Sequence, residues 1–272
     1  MNDEMGDELS AAKSKPSMSE SLQQYTAARV SLGHVGPAIP LGEQLRFQLD
    51  HALARDAVHA QLDVTSMMQG LQQRQMECLS LRSAVADGSG HDRQLYLRRP
   101  DLGRTLHHES RQTLLRSSAR PATGPGVVIV IADGLSALAV DRHALLLLDA
   151  LIDRILPLDQ WNVGPVCVVS QGRVAIGDEI GDLLNAKISI MLIGERPGLS
   201  ASDSLGVYIT WNPRPGRTDA ERNCISNIRH EGLSYTDAAQ RIAFYMDGAK
   251  QLQATGIALK ENILRSEKHL TT

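Results

Sequence analysis

The spacing of apolar residues changes once along this chain, and the change separates two kinds of segment. From Leu41 to Leu62, apolar residues recur every fourth position, at Leu41, Leu45, Leu49, Leu53 and Ala57, with Val58 beside the last. Glu43, Arg46, Asp50, Arg55 and Asp56 fill the intervals, so the segment predicts an amphipathic helix with a single apolar stripe. A second helix is expected over about 71–85. Gly88-Ser89-Gly90 breaks the pattern, and Pro100-Asp101-Leu102-Gly103 opens a third helical stretch running to about Ser117. Residues 23–119 therefore read as a small helical domain. Residues 1–22 are polar, without a sustained apolar period, and predict a disordered tail. An address that directs packaging into a larger assembly is the other reading of that tail.

Arg120-Pro121-Ala122-Thr123-Gly124-Pro125-Gly126 is the clearest linker, and after it the grammar becomes α/β over residues 120–272. Val127–Ile131 is a β-branched run of the kind found in strands buried on both faces. A Leu-rich helix follows from about Leu138 to Leu156, then a strand over Val166–Ser170 and a helix over Ile176–Asn185. Lys187–Gly194 and Gly206–Trp211 read as further strands, and Tyr235–Ala254 as a closing helix. This alternation predicts a Rossmann-like, mostly parallel sheet flanked by helices. Ligands of such sheets sit beyond the carboxyl ends of the strands. The loops after Ile131, Ser170, Ile193 and Trp211 are therefore the expected places for function.

Bulk properties narrow the classes. With a net charge of −3 over 272 residues, the chain lacks the concentrated basic field of a sequence-independent nucleic-acid binder. Three widely spaced cysteines, Cys78, Cys167 and Cys224, form no Cys-x-x-Cys pair and point to a reducing, cytoplasmic compartment. No apolar run approaches the ~20 residues needed to cross a bilayer. Neither dinucleotide nor triphosphate glycine motifs occur. His107 and His108 are adjacent and expected to face different ways, which gives a metal site little support.

Several candidates remain. Glu195 stands in Gly194-Glu195-Arg196-Pro197-Gly198-Leu199, where a strand-end carboxylate can accept hydrogen bonds from ligand amides or simply pair with a surface arginine. Cys224 lies in the dense polar loop expected over residues 212–227, and nucleophile, ligand contact and small packed residue all fit its type. Asp133 reads as a cap on the helix after the first strand, and with Glu195 it would make an acid/base pair for a free-standing α/β enzyme. Asp141-Arg142-His143 begins like a cobalt-ligating Asp-x-His-x-x-Gly signature but has Leu146 in place of glycine and lies mid-helix; His143 is expected on the helix surface.

Five strings, in order, resemble the light chain of ethanolamine ammonia-lyase: Tyr96-Leu97-Arg98-Arg99-Pro100-Asp101-Leu102-Gly103-Arg104, Ala132-Asp133-Gly134-Leu135-Ser136, Gly172-Arg173-Val174, the Glu195 string, and Arg222-Asn223-Cys224-Ile225-Ser226-Asn227. The similarity spans roughly residues 27–255. It implies the small subunit of a hetero-oligomer that converts ethanolamine to acetaldehyde and ammonia with adenosylcobalamin. The partner it implies is a large subunit built as a β/α barrel, with bacterial microcompartments a further possible destination. Carried onto this sequence, the family's cofactor contacts match Val174, Glu195 and Cys224, with no catalytic or metal-ligating residue in this chain. Arg214, Arg217 and Arg222 are left between the cofactor's phosphate and partner contacts.

Overall fold

A computed structural model describes residues 25, 29–30, 32–85, 92–117, 126–155 and 161–259. The expected tail over 1–22, the Gly88-Ser89-Gly90 break and residues 120–125 of the linker lie outside the described residues. Two compact units are present, Met1–Asp50 and His51–Thr272. In the first, Arg29 pairs with Asp50 and its guanidinium lies 5.1 Å from the Phe47 ring centre. Helix α1 (Leu41–His59) forms where the four-residue spacing predicts it. Along its stripe Leu41, Leu45, Leu49 and Leu53 are exposed and Ala57 is buried.

The second unit carries α2 (Val64–Gln73), β1 (Cys78–Arg82), α3 (Asp92–Arg98), α4 (His108–Arg116), β2 (Val127–Ala132), α5 (Ala137–Ile155) and β3 (Val163–Ser170). It continues with α6 (Ile176–Leu183), β4 (Ile188–Gly194), β5 (Leu205–Trp211), β6 (Arg222–Ile228) and α7 (Tyr235–Leu252). The strands form one sheet in the order β1-β3-β2-β4-β5-β6. β1, β3, β2 and β4 are mutually parallel, whereas β5 runs antiparallel to β4 and β6 antiparallel to β5. Central β2 is buried at every position, in keeping with its β-branched run.

Three expectations are corrected here. The helix expected over 71–85 ends at Gln73: Gln75 takes a left-handed backbone (φ 57°), and Cys78–Arg82 then pairs with β3 as a strand, so this part of 23–119 is not helical. The sheet is mixed, because Glu195–Ser204 joins β4 to β5 without a helix and a parallel return needs a crossover of a dozen or more residues. His107 lies before α4 as its cap, its Nδ1 accepting from the Glu109 amide at 3.3 Å, so the rings of His107 and His108 sit 4.2 Å apart and do not diverge.

Two cores sandwich the sheet. On one face Met67 and Leu71 of α2, Val140, Leu147 and Leu151 of α5, and Ile242 and Met246 of α7 pack on Ile129, Ile190 and Val207. On the other, Leu114 of α4 with Ile176 and Ile180 of α6 pack on Val128, Val130, Val169 and Met191. This second cover stops short of the outer strands. Tyr208 is half-buried, and Cys224 and Ser226 on the same side of β6 are exposed. Where α6 does reach β6, Arg222 and Asp178 form an ion pair with side chains only 2% and 3% exposed.

Breaking a buried pair leaves the survivor charged and unsolvated, at a cost of about 3–5 kcal/mol. Arg222→Ala is therefore expected to lower unfolding free energy by about 3 kcal/mol at neutral pH, read as a drop in denaturant midpoint. A loss below about 1 kcal/mol would show that the pair contributes little to the fold.

Candidate functional site

After β2 the chain leaves toward β3, and after β4 it leaves toward β5, so the loops diverge and open a crevice between the carboxyl ends of β2 and β4. A cavity of about 440 Å³ lies there, lined by Gly134, Leu135, Arg173, Val174, Ile193, Gly194, Glu195, Arg196 and Tyr208. Its walls are held by unusually close backbone packing. Gly194 lies against the turn after β2, where a Cβ would stand 2.0 Å from the Ser136 carbonyl oxygen, and its own carbonyl accepts the Leu135 amide at 2.9 Å. Only glycine permits that approach.

Asp133 fixes the same edge from beneath. It is 1% exposed and accepts the amides of Gln171 and Gly172, each at 3.0 Å. Arg93 lies 3.6 Å away and also donates to the carbonyls of Val58 (2.6 Å) and Gly134 (2.9 Å). Burial outweighs these contacts and pushes the Asp133 carboxyl up to about 6, and it pulls the Arg93 guanidinium down. Asp133 does not cap α5, a task taken by Ser136, whose Oγ accepts the Ala139 amide at 3.2 Å. Nor does Asp133 line the cleft, so no acid/base pair with Glu195 is formed.

Glu195 stands at the end of β4, half-buried, with Gly206 opposite leaving room for it. Its carboxylate accepts the Ser204 hydroxyl at 2.7 Å, the Asn227 amide at 3.1 Å and the Ser226 hydroxyl. No arginine pairs with it among the described residues, which removes the surface-pair reading. Val174 follows β3, half-buried against the second core, and its carbonyl accepts the Gly177 amide at 3.1 Å. Cys224 is not in a loop as expected; it lies within β6, in register with Tyr208. Partial burial of its sulfur, reinforced by the Glu195 charge, raises the thiol above its ordinary range and keeps it protonated. Tyr208, whose phenol burial pushes up to about 12, stands between Cys224, its register partner, and the cleft that Val174 and Glu195 line.

The loop after Trp211 falls elsewhere. Because β5 is antiparallel, Trp211 pairs with Ile188 at the start of β4, on the opposite edge of the sheet from the cleft. Arg217 there binds Glu221 and the Asn212 carbonyl, and Arg222 is buried with Asp178. Arg214 is exposed on the same loop. None of the three lines the cleft. His143 is buried rather than on a helix surface, since α7 packs over α5: its Nδ1 lies 2.8 Å from the Tyr235 hydroxyl and its Nε2 3.5 Å from Asp203. That burial lowers its proton affinity.

A family model described as ethanolamine ammonia-lyase light chain (EutC) matches residues 16–260. The chain belongs to the ethanolamine ammonia-lyase light-chain family. Proteins named ethanolamine ammonia-lyase small subunit from Pseudomonas fluorescens (strain Pf0-1) and Azotobacter vinelandii are 52% and 49% identical to it. The alignments cover 88% and 89% of this chain and 85% and 87% of theirs. A small subunit from Xanthomonas campestris pv. campestris is 48% identical over 88% of this chain and 86% of its own. In this light chain, sequence reasoning missed Arg173 and Tyr208 as cleft residues. Arg173 was in plain view within the Gly172-Arg173-Val174 string, whereas Tyr208 carried no signal before strand register placed it beside Cys224.

The Asp133 ionisation has a definite sign. Its carboxyl is raised from 3.8 to about 6 on folding, so its stabilising contribution is complete below pH 3.8 and is lost as pH rises to about 6. That difference corresponds to about 3 kcal/mol. The stability of wild type relative to Asp133→Asn is expected to fall by that order between pH 4 and 6, followed by denaturant midpoints. A flat difference across this range would mean that Asp133 does not titrate there.

Proposed function

We propose that this chain is the small subunit of an adenosylcobalamin-dependent ethanolamine ammonia-lyase and that its cleft grips the rim of the corrin. The observation that carries the reading is the convergence of Val174 and Glu195 on one crevice at the β2/β4 divergence, with Cys224 the strand neighbour of Tyr208 in its lining. A corrin is an apolar macrocycle fringed with carboxamides, and the cleft offers both kinds of surface. Val174, Leu135 and Ile193 present apolar contact, Glu195 an acceptor, and the hydroxyls of Tyr208 and Ser226 polar partners.

The cavity is open-sided and near the lower end of the roughly 300–1,000 Å³ typical of small-molecule sites. It therefore suits one side of the cofactor, with the large subunit, a β/α barrel, closing over the rest. A carboxylate has about four acceptor positions. Three donors already reach Glu195 from within the chain, which leaves it oriented and with one position for a ligand N–H, a charge-assisted bond. The protonated Cys224 thiol supplies a small packed side chain and not a nucleophile.

When bound, adenosylcobalamin supplies the radical by cleavage of its cobalt–carbon bond, and deamination to acetaldehyde and ammonia follows in the hetero-oligomer. This chain's share is binding, orientation and exclusion of side reactions. No helix among the described residues is long and apolar enough to cross a membrane. The cytoplasm is the proposed setting, with packaging into a bacterial microcompartment a further step.

Glu195→Ala in the assembled two-subunit complex is expected to weaken adenosylcobalamin binding by about tenfold or more, the value of a hydrogen bond to a charged group. Subunit association should be unchanged. Unaltered affinity with a disrupted complex would make the chain a scaffold. Ammonia release by the lone chain would overturn the division of labour between the subunits.

A further inference from the structure

Arg173 is the one cleft residue whose side chain is fixed in place with its charge unspent. Its backbone amide donates to the Gly103 carbonyl at 2.7 Å. Its guanidinium carbon lies 4.2 Å from the centre of the Tyr96 ring, a stacked position. Tyr96 is itself immobilised: it is fully buried, its hydroxyl donates to the Gly172 carbonyl at 2.9 Å, and Arg93 lies 4.9 Å from the same ring centre. Gly103 completes the clamp, for a Cβ there would stand 2.8 Å from the Arg173 Cγ and 2.9 Å from the Tyr96 ring.

Arg93 pairs with Asp133, Arg111 with Glu179 and Arg142 with Asp203, whereas Arg196, also at the cleft, is exposed. Among the described residues Arg173 has no carboxylate partner, and its buried Nε lacks any hydrogen-bond partner. A pre-oriented cation with no carboxylate partner at the wall of a cleft can offer its terminal guanidinium N–H groups to a ligand acceptor. Glu195 lines the same cleft. A purely anionic ligand would meet that carboxylate, whereas a primary carboxamide satisfies both walls, its N–H reaching Glu195 and its carbonyl oxygen reaching Arg173.

We propose that Arg173 is the donor wall of a carboxamide-reading cleft, taking the carbonyl oxygen of a corrin side-chain amide opposite Glu195, an inference that rests on the cofactor-holding reading above. Tyr96 and Gly103 act through it as positioning residues. The phosphate in the nucleotide tail of the cofactor offers the same acceptor chemistry, and cobinamides, which lack that tail, distinguish the two sources.

The test is equilibrium binding of adenosylcobalamin and of adenosylcobinamide to the assembled complex, read by visible absorbance. Arg173→Met is expected to weaken both by the same factor, roughly tenfold. Arg173→Lys, which keeps the charge but loses the planar fork, should show a smaller loss and serves if the Met variant fails to assemble. Tyr96→Phe should weaken both corrinoids while the complex remains assembled. A loss confined to adenosylcobalamin would assign Arg173 to the phosphate and overturn the amide reading. Unchanged affinity for both ligands in Arg173→Met, or in Arg173→Lys should the Met variant not assemble, would overturn any role in the grip. If the wild-type complex bound neither corrinoid, the cofactor-holding reading would fall, and Arg173's role with it. Loss of Glu195→Ala affinity alongside intact Arg173→Met affinity would leave that reading standing and sink this one alone.

Discussion

Asp133 accepts amide protons from the two residues that begin the loop after β3, while Arg93 reaches past it to the carbonyls of Val58 and Gly134. One buried ion pair thereby ties the end of α1, the turn after β2 and the loop carrying Arg173 and Val174. Each of these segments is irregular backbone whose polar groups would otherwise go unsatisfied inside the protein. Burial raises the energy of both charges, yet neither can be removed alone without stranding the other. The cleft inherits its geometry from this arrangement, because Arg173 and Val174 stand on the loop whose first amides Asp133 holds.

Much of the fold was legible in residue spacing, and the failures have particular causes. The β-branched runs at Val127–Ile131 and Val166–Ser170 could only be buried parallel strands, and they are. The direction of β5 was readable as well, since the eleven residues between Gly194 and Gly206 fall short of the dozen or more a crossover needs, but alternation of element types overrode that count. Cys78–Arg82 is five residues long and half-covered, too short for periodicity to separate strand from helix. The burial of His143 depends on α7 folding back over α5, a long-range contact with no local trace.

Val174 and Glu195 were singled out both through strand ends and through resemblance, and both line one cavity. Cys224 was selected both by resemblance and by the loop argument, but it lies on a strand, so only the resemblance still points to it. Tyr208 became visible only once strand pairing set it beside that cysteine. The arginines of the loop after β5 illustrate the converse. Their density suggested ligand chemistry, yet Arg217 and Arg222 are spent on neighbouring carboxylates at the far edge of the sheet.

The change from parallel to antiparallel pairing at β4 has a consequence for what the molecule can hold. Each parallel strand brings a crossover helix that roofs the sheet beside it. β5 and β6 are reached by connections without an α-helix and bring none to the side where Tyr208, Cys224 and Ser226 emerge. The outer third of the sheet is consequently a bare floor beside a walled crevice. A flat, disc-shaped guest can rest there with its rim in the crevice and its upper face left for a second protein to close.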